Sequence, residues 1–126
     1  DRADANKQAA KAKQYKQQVS QTKSAIKKYR KEFDSAEKLS DMADTKWAAA
    51  KKQYESLGKN RVSRMLNAAR NKTDAAKKYN KMYDDASKAS DLADAKWNEV
   101  KESYKSTGRN RVERILNNIE YDRKKR

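Results

Sequence analysis

The sequence predicts an all-α protein: an elongated antiparallel coiled-coil or helical bundle of tandem repeats of about fifty residues, running up-down-up. Three observations predict it. Residues 21–70 align with 71–120 without a gap and are identical at 24 of 50 positions. Proline is absent, and the two glycines, Gly58 and Gly108, occupy equivalent positions in that alignment. Between them the apolar residues recur in alternating steps of three and four, the spacing of a helical a/d seam.

The repeat organises the chain first. Both copies share KKY (Lys27–Tyr29, Lys77–Tyr79), SDxADxKW (Ser40–Trp47, Ser90–Trp97) and YxSxGxNRVxRxLN (Tyr54–Asn67, Tyr104–Asn117). Residues 1–20 read as a degenerate partial repeat continuous with the first helix: Asp1, Ala3 and Asp4 echo Asp41, Ala43 and Asp44. Residues 21–70 are repeat 1, 71–120 are repeat 2, and 121–126 form a basic tail at the start of a truncated further unit. The chain begins at Asp1, which fits either a removed leader or an internal piece of a longer array; the repeat, cut at both ends, favours the second.

Each helix follows from composition and punctuation. Ala, Lys, Glu, Gln and Arg dominate between the glycines, and all favour helix. Glycine just past a helix end, then asparagine as the next N-cap, is a stop and restart, here Gly58/Asn60 and Gly108/Asn110. The expected helices are therefore 2–57, 60–107 and 110–125.

In the first helix the seam runs through Ala12, Tyr15, Val19, Thr22, Ile26, Tyr29, Phe33, Ala36, Ser40, Ala43, Trp47, Ala50, Tyr54 and Leu57. In the second it continues through Val62, Met65, Ala69, Ala76, Tyr79, Tyr83, Ala86, Ser90, Ala93, Trp97, Val100 and Tyr104. The third offers Val112, Ile115 and Ile119. Gly58 is either a skip in a continuous coil or a hairpin. A hairpin about Gly58 pairs Ser40 with Tyr79, Ala36 with Tyr83, Tyr29 with Ser90 and Thr22 with Trp97, setting large residues against small ones. The hairpin is therefore the expected arrangement. A third helix, a neighbouring repeat or a second copy of the chain is expected to complete the core.

Charge narrows the function. Lys and Arg number 33 against 18 acids, a net charge of +15, and charged residues make up 40% of the chain. Such an excess repels itself within a compact bundle and attracts polyanions. Cysteine and histidine are both absent, which removes disulfides, thiol nucleophiles, Cys/His zinc sites and the commonest general base. No apolar run approaches the roughly 20 residues of a membrane span, so the chain is not expected to cross a bilayer. No nucleophile–base set, metal cluster or cofactor motif is recognisable, so a non-enzymatic role without a cofactor is expected.

The basic residues that are candidates for polyanion binding fall in three groups. Lys59, Arg61 and Arg64, with their counterparts Arg109, Arg111 and Arg114, sit at helix starts, where the macrodipole disfavours cations. Helix N-terminal N–H groups beside guanidinium groups make a seat for phosphate or sulfate. Capping of the bundle end by ion pairs is an equally weighted explanation. Lys27, Lys28, Arg30 and Lys31, with Lys77, Lys78 and Lys81, form a second band, and Arg123–Arg126 a third.

Other conspicuous residues read as structural. Trp47 and Trp97 pack on the seam, with Lys51 and Lys101 placed for cation–π contact. Asp41/Asp44 and Asp91/Asp94 pair with nearby lysines on the helix surface. The sequon Asn71-Lys72-Thr73 is expected inside a helix.

In composition (rich in Lys, Asn and Tyr, lacking Cys, built of tandem long helices) the chain is similar to helical repeat regions of bacterial surface proteins; no residue role transfers from that likeness. The expected function is a scaffold or spacer module of a secreted or cell-surface protein, binding a cell-wall polymer, an acidic polysaccharide or another anionic polymer through its basic faces. The alternatives are a cytoplasmic or nucleoid-associated protein binding nucleic acid without sequence preference, and a helical face for a partner protein or for a homo-oligomer.

Overall fold

The structure is a computed structural model and describes residues 1–125. It is all-helical, with four helices in the order α1 (Arg2–Glu55), α2 (Arg61–Arg70), α3 (Asp74–Lys105) and α4 (Arg111–Lys125). One long helix packs on another: α1 runs for 54 residues and α3 for 32. Neither contains Gly or Pro, so nothing in either interrupts the i→i−4 ladder.

The chain divides into two compact units. One is continuous in sequence, Asp34–Trp97, and the other joins Asp1–Phe33 to the segment from Asn98 onward. In the continuous unit, Ala36, Ala43, Ala50, Leu57, Ala76, Ala86, Ala89 and Ala93 are buried. Alanine at the contact line lets helix backbones approach closely, and the larger rings fill the flanks. Trp47 meets Tyr83 edge-on with ring centroids 5.0 Å apart, and Tyr54 lies 5.1 Å from Tyr79. In the discontinuous unit Ile26, Val100, Ser103 and Thr107 are buried, and Ile26 and Thr107 each retain only 1% of their exposure. There Tyr29 lies 5.1 Å from Tyr104, and Ser103 donates to the carboxylate of Glu32.

Two expectations are corrected. The second helix does not run unbroken over 60–107. Asn71 adopts the left-handed conformation (φ 52°, ψ 38°), and its N–H returns to the Asn67 carbonyl at 3.1 Å. Asparagine tolerates this region better than other non-glycine residues. Thr73 then accepts the Ala76 N–H through its hydroxyl at 3.1 Å and restarts the helix, with Asp74 in the first turn. The sequon therefore lies at a helix break, not inside a helix. Asn80 closes the turn by donating to the Ala68 carbonyl and to Asn71 Oδ1.

The second correction is the register. Ser40 meets Trp97 and not Tyr79, whose ring partner is Tyr54. The ten residues of α2 occupy the reversal, so the turning point lies within α2 and not at Gly58. The pairing of α1 with α3 slides by roughly four to five helical turns. Residues aligned with each other in the two copies now exchange the same bond: Trp47 Nε1 donates to Ser90 Oγ at 2.6 Å, and Trp97 Nε1 donates to Ser40 Oγ at 2.7 Å. The tryptophans are half-buried, and each indole N–H has a hydroxyl acceptor.

Candidate functional site

The repeated YxSxGxNRVxRxLN block builds a helix–loop–helix corner, and its polar residues hold that corner together. At the end of α1 the chain tightens into i→i−3 bonds, Ser56 N–H to Gln53 and Leu57 N–H to Tyr54. Asn60, in extended conformation, then caps α2 by accepting the Ser63 N–H at 2.8 Å. Arg64 Nε donates to the Gly58 carbonyl at 2.9 Å, and Asn67 Nδ2 donates to the Leu57 carbonyl at 2.6 Å. The second copy reproduces each bond. Asn110 accepts the Glu113 N–H at 2.9 Å, Arg114 Nε donates to the Gly108 carbonyl at 3.0 Å, and Asn117 Nδ2 donates to the Thr107 carbonyl at 2.8 Å.

The glycines serve this corner differently from expectation. Neither has positive φ, so a left-handed helix cap is not their role. A Cβ on Gly58 would stand 2.8 Å from Ser63 Cβ and 3.0 Å from the Arg64 nitrogen; on Gly108 it would stand 2.7 Å from the Arg114 nitrogen. Glycine is there because the next helix's first turn passes too close for a side chain.

These bonds bear on the anion seat expected at the two helix starts. The caps already satisfy the Ser63 and Glu113 N–H groups, and one guanidinium nitrogen of Arg64 and of Arg114 is committed to a loop carbonyl. Lys59, Arg61, Arg109 and Arg111 remain exposed at the corners. Lys27, Lys28 and Lys31 are exposed on α1, and Lys77, Lys78 and Lys81 on α3. Lys28 makes only a loose i,i+4 approach to Glu32, at 4.0 Å. Asp41, Asp44, Asp91 and Asp94 are likewise exposed on helix surfaces. Of the third basic band, Arg126 lies outside the described residues.

Within the discontinuous unit the fold brings two candidates together from distant sequence. Lys27 of α1 and Arg109 of the second corner line one open groove of about 920 Å³. Lys23 and Lys124 join them there, against Glu113 and Glu120, so cations outnumber acids four to two. The apolar part of the groove includes Tyr15, Val19 and Ile26.

Arg30 stands among the lysines of the second band in sequence, yet it ties α1 to α4 within its unit. Its Nη1 donates to Asp122 Oδ1 at 2.9 Å, and its Nη2 donates to Asp122 Oδ2 at 3.1 Å, a bidentate pair. Nη2 also donates to the Asn118 carbonyl at 3.4 Å, and the guanidinium lies 5.7 Å from the Tyr121 ring centre. The hydrogen bond to Asp122 is the main cause that holds the Arg30 pKa above its ordinary value, with burial opposing it. A partner 92 residues away leaves no trace in local sequence.

The expected seam fails at Tyr15 and Tyr83, which are exposed, and throughout α2 and α4. Val62, Met65 and Leu66 of α2 are 44–61% exposed, and Val112, Ile115, Leu116 and Ile119 of α4 are 43–66% exposed. The inward faces of these helices carry the polar side chains that staple the corners, so the apolar stripes face outward. Among the described residues, no helix is long and apolar enough to cross a membrane. Compared with protein-family models, curated proteins and solved structures, the chain matched none of them.

Proposed function

We propose that this chain is a non-enzymatic module of tandem antiparallel coiled-coil repeats belonging to a secreted or surface-displayed protein, a scaffold or spacer whose basic faces hold an anionic polymer. The observation that carries this reading is the groove of the discontinuous unit, where Lys23, Lys27, Arg109 and Lys124 converge from opposite ends of the sequence. Four cations against two acids leave the groove net positive on a chain carrying +15 overall. The exposed bands Lys27/Lys28/Lys31 and Lys77/Lys78/Lys81 and the corner residues Lys59, Arg61 and Arg111 extend that field over the surface. The corner bonds of Arg64 and Arg114 make these two scaffold residues as well as cations.

The test is binding of the purified chain to an acidic polysaccharide and to duplex DNA across a salt series. A variant with Lys23, Lys27, Arg109 and Lys124 changed to Gln is run alongside, leaving the corner arginines in place. The expected result is binding that weakens steeply with salt as counterions are taken back up, and at least a tenfold loss in the variant. Preference for the polysaccharide supports the surface setting, and preference for DNA moves the module to a nucleic-acid role. No binding to either polymer at moderate salt refutes the proposal.

A further inference from the structure

A helix on the surface of a folded unit ordinarily turns its apolar stripe inward. In α2 the order is reversed. Arg64 and Asn67 face in and are tied to the Gly58 and Leu57 carbonyls, while Val62, Met65 and Leu66 are largely exposed. Because two side-chain bonds fix the helix's rotation, the exposure is built in. The arrangement recurs in α4, where Arg114 and Asn117 make the equivalent bonds and Val112, Ile115, Leu116 and Ile119 face out. Contiguous exposed aliphatic residues of this kind mark contact surfaces.

The charges around the stripe indicate what it contacts. At 100° per residue, Arg61 and Arg70 fall on either side of Val62, Met65 and Leu66. Lys59 and Lys72 stand just beyond the helix ends, all four cations are exposed, and α2 contains no acid. On α4 Arg111 takes the place of Arg61 and Arg123 follows one turn beyond Ile119, while Glu120 stands where α2 has Arg70, so the cationic frame is complete on α2 and one-sided on α4. A second copy of the chain would bring another +15 against this face. A folded protein partner needs roughly 800 Å² per side, far more than three or four aliphatic side chains on a convex ten-residue helix supply. A bilayer surface needs no shape complementarity, and it offers phosphate to the arginines and acyl chain to the stripe.

We propose that the outward stripe of α2, and separately that of α4, is an interfacial docking face for an anionic lipid surface, the helix lying in the headgroup plane without crossing it. This contact is separate from polymer binding in the groove, since it needs the aliphatic side chains as well as the charge.

The experiment is co-sedimentation of the full chain with vesicles of phosphatidylcholine alone and of phosphatidylcholine with phosphatidylglycerol. Duplex DNA binding is measured in parallel, and circular dichroism checks that each variant is folded. The chain is expected to bind the phosphatidylglycerol vesicles and not the neutral ones. Changing Val62, Met65 and Leu66 to Ser together with Val112, Ile115 and Leu116 to Ser is expected to weaken vesicle binding at least tenfold while DNA binding stays within twofold. R61Q with R70Q is expected to weaken vesicle binding several-fold. Vesicle binding that survives the serine variant shows attraction by charge alone and overturns the proposal. Capture of an acidic amphipathic peptide by the same stripes, with no vesicle binding, assigns them to a protein partner and overturns it equally.

Discussion

Gly58→Ala separates two explanations of the corner glycines. If Gly58 served a left-handed cap, alanine would be penalised by backbone strain whatever its neighbours. The structure instead assigns the penalty to contact, with the new Cβ 2.8 Å from Ser63 Cβ, well inside ordinary van der Waals distance. Overpacking of this kind costs about 1–3 kcal/mol, and the reduced freedom of the unfolded chain returns about 0.4–1 kcal/mol. The net expectation is a loss of about 1–2 kcal/mol. In a Ser63→Gly background the side-chain obstacle is gone and only the Arg64 nitrogen, at 3.0 Å, remains. The cap bond persists there because it uses the backbone N–H of residue 63. Ser63→Gly alone costs about 0.5 kcal/mol in helix propensity, and adding Gly58→Ala to it should be close to neutral. A double-mutant cycle by urea denaturation, followed by far-UV circular dichroism, should give a coupling of about 1–2 kcal/mol. Equal cost of Gly58→Ala in both backgrounds would refute the steric account. Gly108→Ala provides the control: its obstacle is the Arg114 backbone nitrogen at 2.7 Å, so no side-chain truncation at position 113 should rescue it.

Three further outcomes are expected. Ser90→Ala removes the acceptor of the Trp47 indole N–H and should cost about 1 kcal/mol, because water reaches the half-buried ring; urea midpoints measure it, and Ser40→Ala should match it through Trp97. Arg30→Gln breaks the bidentate pair with Asp122, and since both groups are partly exposed the stability loss should stay near or below about 1 kcal/mol. Amide exchange should nevertheless quicken at residues 118–122. Tyr79 has its pKa raised by burial first and then by Tyr54 and Tyr83. Its contribution is therefore whole below the unfolded tyrosine value of about 10 and is lost as pH rises through the higher folded value. Tyr79→Phe should lose less stability between about pH 9 and pH 11 than the parent, read from urea midpoints across that range; an unchanged slope refutes the assignment.

Much of the helical content was legible because its signals are local. The stops near Gly58 and Gly108, the caps Asn60 and Asn110, and the buried line Ala36, Ala43, Ala50 and Leu57 follow from spacing alone. The break at Asn71 was equally local, with a left-handed asparagine, Thr73 as cap and Asp74 in the first turn. It was passed over because the expected helix was bounded only by the Gly/Asn pairs at 58/60 and 108/110, and residues 71–73 contain neither Gly nor Pro. That single break also displaced the register of α1 on α3. The direction of the α2 and α4 stripes could not be read, because an apolar period reveals that a face exists and not what lies opposite it. Nor could the groove at Lys27 and Arg109, or the Arg30–Asp122 pair, since both depend on segments far apart in the chain.

The nesting of one unit inside the other along the sequence has a consequence for how the chain acquires its structure. Asp34–Trp97 is an uninterrupted stretch whose contacts, such as Tyr54 with Tyr79, close short loops. The other unit must join segments separated by the whole of that stretch, with Arg30 reaching across 92 residues to Asp122. Loop closure grows more costly with the length enclosed, but an ordered inner stretch shortens the flexible length that remains. The inner unit should therefore order first and lower the entropic barrier to closing the outer one. A chain emerging from the ribosome can complete the inner unit before the residues that finish the outer one exist.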